Sequence, residues 1–122
     1  MRKFKFEHLE DWKLALDLTD LLNGISYQFP TDERFNLGSQ LRRATTSVSL
    51  NIAEGSTGQS DPEQTRFLGM ALRSVLECVA CLGLIERRQF VIEPMLLEEA
   101  NDLCHFLACK LQAFRNSLVR SA

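Results

Sequence analysis

Four cysteines are the residues best able to do chemistry in this chain. Cys78-x-x-Cys81 and Cys104-x4-Cys109 invite a zinc or redox reading, because four thiolates can close a tetrahedral site. Their spacing argues the other way. Structural Cys-x-x-Cys zinc motifs sit on turns, whereas Cys78 and Cys81 fall in an apolar run at helical core spacing. Cys104 and Cys109 point about 140° apart on a 3.6-residue period, so they cannot both face one metal. All four read as small core hydrophobes of a cytosolic chain in which thiols stay reduced. No metal and no cofactor is assigned.

Asp102-x-x-His105 has the spacing of half a carboxylate-bridged di-iron site, which needs two acid-x-x-His motifs and two further inward glutamates. His8, the other histidine, has no acid three residues before it. The Asp102 and His105 pair therefore reads as solvated, and with no nucleophile elbow a hydrolytic triad has no assignable base. Gly55 to Gly58 precede a helix as a phosphate cradle does, but no Gly-Lys-Ser/Thr follows, and Asp61 puts a negative charge at the helix entrance. No small-molecule substrate is assigned.

Two basic doublets remain, Arg42-Arg43 and Arg87-Arg88. Presented around a ring of subunits they would form a positive rim for RNA or DNA. Presented singly they are a solvated face or partners for acids such as Glu77 and Glu86. A remote enzymatic alternative uses Glu54 or Glu77 as a buried acid between subunits.

The elements that must position these residues are helical. With 122 residues the chain forms one domain, 1–122, and its 25% charged and 45% hydrophobic residues are an ordinary globular balance. The net charge of −2 is spread evenly, which argues against a domain built on phosphate neutralisation. The opening MRKFKFEHLEDW reaches Glu7, Glu10 and Asp11 before any apolar run, so it is not a secretory signal and the expected location is cytoplasmic.

A first helix is expected from Glu7 to Tyr27, with apolar stripes at Leu9, Trp12, Leu16 and at Leu14, Leu18, Leu21, Ile25; Phe29-Pro30 ends it. A second runs unbroken from a Thr31 cap to Gly55, and Gly55 to Ser60 form a loop. Asp61-Pro62-Glu63-Gln64 opens a third, with Asp61 as cap, Pro62 at the first position and Gln64 reaching back as in a capping box. It extends to Arg87 or Arg88. A fourth begins near Glu93-Pro94 and carries the heptad Leu97, Ala100, Cys104, Leu107, Leu111, Phe114, Leu118. Short connections predict an all-α, up-down-up-down antiparallel four-helix bundle.

The third helix is physically the most unusual. Between Phe67 and Ile85 its only charges are Arg73 and Glu77, so it is apolar all round and needs a second partner. A membrane span is the competing reading of this run. Arg73 and Glu77 near its centre, with Gly69 and Gly83, argue against it. Another subunit is the expected partner.

Phe6-x2-Leu9-x2-Trp12, Phe29-Pro30, Glu33-Arg34-Phe35-x-Leu37, Ser39-Gln40-Leu41-Arg42-Arg43-Ala44, Asn51-Ile52-Ala53-Glu54-Gly55 and Phe67-Leu68 occur in that order. In these residues the chain resembles the bacterial four-helix bundle family of the 23S rRNA intervening-sequence type, whose cellular role is undefined. Two departures stand out: members similar to this chain often have proline at or beside Ser49 and an aromatic residue where Ser56 stands. The resemblance implies a left-handed up-down bundle assembled as a homopentamer. A related bundle, the accessory protein of diversity-generating retroelements, is strongly basic and binds nucleic acid, which this chain's charge does not match. The expected function is a non-enzymatic homo-oligomeric scaffold or interaction module. The alternative is an RNA- or DNA-binding accessory protein using Arg42, Arg43, Arg87 and Arg88. Asn51 and Glu54 are expected to satisfy backbone and fix register near a helix end.

Overall fold

A computed structural model describes residues 2–58, 60–91 and 93–121. A single 3-10 turn, Lys5–His8, precedes α1 (Glu10–Ser26), the one-turn α2 (Thr31–Arg34), α3 (Leu37–Gly55), α4 (Asp61–Arg88) and α5 (Pro94–Ser121). The four long helices form an all-α bundle in which α1 packs on α3 and α5, and α4 packs on the same two. Successive helices run antiparallel. Thr19 and Ser26 of α1 meet Thr45 and Arg42 of α3, Ser74 of α4 meets Ser47 of α3 while Phe67 meets Gly55, and Arg115 of α5 meets Thr65 of α4.

Helices α3, α4 and α5 bury the stripes their sequence period lays down, whereas α1 buries Ala15, Leu18, Leu22 and Ile25 and leaves Leu16 of its expected stripe exposed. Leu18, Leu22 and Ile25 from α1 meet Leu41, Val48 and Ile52 from α3, Leu68, Val75 and Cys78 from α4, and Ala100, Cys104, Leu107 and Leu111 from α5. The remaining heptad positions of α5, Leu97, Phe114 and Leu118, are half-buried against this core. Thr45 is a polar intruder with a full account. Thr19 gives its only hydroxyl proton to the Ala15 carbonyl at 2.9 Å, so Thr45 donates to Thr19 Oγ1 at 3.1 Å.

Three local expectations are corrected. The first helix starts at Glu10, because Phe4 N–H donates to Glu7 Oε2 and holds a separate 3-10 turn, and Phe6 packs edge-on against Trp12 at 5.1 Å. The second helix breaks at Phe35-Asn36, and its first turn is capped by Pro30 rather than Thr31. Arg34 donates to the Tyr27 and Phe29 carbonyls, and Arg42 donates to the Arg34 carbonyl at 3.0 Å, so these backbone acceptors are satisfied outside a continuous helix. At the start of α4 the cap is Ser60, whose hydroxyl accepts from Glu63 N–H; Asp61 lies inside the first turn, and Gln64 donates to Ser56 Oγ instead of reaching back. The expected helix start beside Ile92 is Pro94; Ile92 itself lies outside the described residues.

Asp11 is buried and its Oδ2 has no hydrogen-bond partner. Burial pushes its carboxyl above the usual range, Lys110 pulls it down in part, and Glu10 adds to the rise. A carboxyl raised by folding holds its proton more tightly in the native chain than in the unfolded one. Its contribution to stability is therefore present at low pH and lost as pH climbs from 3.8 through the raised value. Asp11→Asn should raise the melting temperature at pH 7 and leave it nearly unchanged at pH 3, read by circular dichroism.

Candidate functional site

The family-like run Asn51-Ile52-Ala53-Glu54-Gly55 occupies the last turns of α3, where each side chain has a separate task. Ile52 is fully buried in the core. Asn51 Nδ2 donates to the Ser47 carbonyl at 2.8 Å and to Ser47 Oγ at 3.0 Å, and Ser47 Oγ accepts from Ser74 Oγ of α4. A polar clasp thus fixes the register of α3 on α4. At Gly55 an added Cβ would stand 2.8 Å from Phe67 Cβ, so only glycine lets the two helices approach this closely. Glu54 is exposed and makes no ion pair with a described residue.

A family model described as 23S rRNA-intervening sequence protein matches residues 7–112. The chain belongs to that family. No curated protein is significantly similar to it. The match reaches through most of α5, beyond Phe67-Leu68, where the family-like motifs end.

Two outward faces, one on α3 and one on α4, carry exposed apolar residues. On α3, Arg42, Arg43, Thr46, Leu50, Asn51 and Glu54 line a shallow depression of about 530 Å³, and Leu50 is 55% exposed. On α4, Leu76 is 57% and Leu84 45% exposed, with Ala80 and Gly83 between them open to solvent. By length and composition α4 could cross a membrane, with a mean hydropathy of 1.8 in its most apolar window, yet only 39% of that window is buried here. The bundle therefore covers one side of α4 and leaves Leu76, Ala80 and Leu84 bare on a side they share with the exposed Arg73 and Glu77.

All four arginines named from the sequence lie toward one end of the bundle, since α3 begins where antiparallel α4 ends. They are not equivalent. Arg42 is turned inward, donating to Ser26 Oγ at 3.3 Å and to the Arg34 carbonyl, and its role is structural. Arg88 lies 3.9 Å from Glu33 Oε2. Arg43 and Arg87 are exposed and make no ion pair with a described residue. This division has no local signature, because Ser26 and Arg34 reach Arg42 only through the chain reversal at Pro30. Leu50 could have been found: it is a leucine lying off the stripe Leu41, Ala44, Val48, Ile52.

The remaining candidates separate in space. Cys78, Cys81 and Cys104 are buried and Cys109 is exposed, so the four thiols do not converge, and no described cluster of three His, Cys, Asp or Glu could hold a metal. Burial pushes Cys104 up to about 11 and raises Cys78, where neighbouring Cys104 and Cys81 add to the effect, and Cys81, where Glu77 adds. A maleimide should label Cys109 alone in the folded protein and all four thiols in denaturant, counted by intact mass. Asp102 and His105 are exposed. So are Glu54 and Glu77, neither of which is a buried acid within the single chain.

Proposed function

We propose that this chain works as a non-enzymatic homo-oligomeric scaffold or interaction module in the cytoplasm, with five copies as family resemblance implies. The observation that carries the reading is the exposed apolar row on α4, Leu76, Ala80 and Leu84, together with exposed Leu50 on α3. Removing apolar surface from water contributes about 25 cal/mol per Å², and a row of this kind on each copy supplies a reason to associate. A pair of arginines at Leu76 and Leu84 tests it. The double variant L76R/L84R should keep its helical circular dichroism and sediment as a smaller species than the native chain; an unchanged assembly would count against α4 as the interface.

A second reading has its own support in Arg43 and Arg87, two exposed cations at one end that assembly would repeat around an axis. It predicts RNA or DNA binding that weakens steeply with salt and falls when Arg43 and Arg87 become Ala. Binding that ignores salt, or none at all, removes it. The net charge of −2 favours the scaffold.

A further inference from the structure

The end of the bundle where α4 hands over to α5 carries a groove of about 470 Å³. Its floor is apolar, with Val79, Leu82 and Leu97, and Glu86 and Glu98 stand among its walls. No lysine or arginine lines it, and neither glutamate makes an ion pair with a described residue. Gly83 keeps one wall low. It sits inside a helix, where glycine costs about 0.5 to 1 kcal/mol against Ala, and an added Cβ there would meet nothing within 4 Å. Nothing within the single chain accounts for a glycine at that position.

At the other end lies the complement of this groove. Arg2, Lys3 and Phe4 precede the 3-10 turn, all exposed, with the Phe4 side 74% open although its N–H is anchored on Glu7. Phe4 and Phe6 border Ser56 to Gly58, just ahead of the first residue of α4. From there to Gly83 is about 30 Å along the helix at 1.5 Å per residue. Three residues span at most about 10 Å, so residues 2–4 cannot reach the groove of their own chain.

We infer that the Arg2-Lys3-Phe4 segment of one copy docks in the α4–α5 groove of a second copy, Phe4 on the apolar floor and the two cations against Glu86 and Glu98. This inference rests on the self-association proposed above and adds a second contact to it. Because donor and acceptor lie at opposite ends of the molecule, the contact is head-to-tail. Such contacts close into rings or run on as filaments, depending on the rotation between copies.

Charge reversal on either side tests it in the full-length chain. R2E/K3E and E86K/E98K should each weaken association about tenfold in dilution series followed by sedimentation velocity, the size expected of two exposed ion pairs. In an equimolar mixture the acidic tail of R2E/K3E meets the basic groove of E86K/E98K, and the native tail of E86K/E98K meets the native groove of R2E/K3E. Mixing should therefore restore association between unlike copies, and the quadruple variant, matched in every copy, should regain native association. Gly83→Leu, which fills the groove while circular dichroism reports an intact fold, should weaken association alone. If both double variants associate like the native chain, or the quadruple variant fails to recover, the docking is overturned while self-association through α4 stands. A native chain that stays monomeric overturns both.

Discussion

Gly55→Val should destabilise the bundle by about 3 kcal/mol, at the upper end of what overpacking costs in a close-packed interior. The contact that sets this figure lies between two Cβ positions, one built on Gly55 and one on Phe67, only 2.8 Å apart. Neither can rotate out of the way, so α3 and α4 must part near their shared end and the core around Ile52 must loosen with them. Gly55→Ala meets the same atom with fewer others behind it, and alanine returns up to about 1 kcal/mol of helix propensity, so its cost is smaller. Gly24 gives the opposite sign. An added Cβ there meets nothing within 4 Å, and Gly24→Ala should gain up to about 1 kcal/mol. Urea midpoints at equal protein concentration read all three, and a Gly55→Val chain as stable as the native one would mean that the helices are not held at this distance.

Ile52→Ala should cost about 3 kcal/mol for the same end of the molecule by the reverse cause, a cavity. Ile52 is fully buried, two residues from Leu50, which faces outward at 55% exposure. Leu50→Ala in the dissociated subunit should fall within about 0.5 kcal/mol of native, as surface substitutions do. The pair separates the two sides of α3: one residue of the signature holds the core, and its neighbour two positions back is free for a partner. Equal losses at both positions, measured by chemical denaturation at low concentration, would show that Leu50 is not a surface residue.

The long helices were legible because their evidence is local and repeated. Pro62 behind a capping residue and Arg87-Arg88 at the far end marked α4 nearly to the residue, and the alternating heptad from Leu97 to Leu118 marked α5. Where the expectation failed, a distant partner decided. The break at Asn36 depends on Arg34 and Arg42 satisfying carbonyls seven and eight residues away, which no helical propensity encodes. The inward turn of Arg42 depends on Ser26 arriving from α1. At the site, the apolar excess of α4 could be read from sequence, since only two charges interrupt it between Phe67 and Ile85. Which of those residues face outward could not, because that requires knowing on which sides α3 and α5 pack. The α4–α5 groove is lined by residues of two helices on either side of their connector, and Glu86 and Glu98 carry no local signature of it.

Light scattering of the untagged native chain, measured during size exclusion at micromolar concentration and again in high salt, addresses most directly whether the bare side of α4 is covered by other copies. A multiple of the 13.9 kDa chain mass is expected, near five copies, free of nucleic acid by absorbance at 260 and 280 nm and persisting in salt because apolar burial is not screened. A species of 13.9 kDa at every concentration would contradict self-association, and a complex rich in 260 nm absorbance that collapses in salt would favour nucleic-acid binding instead.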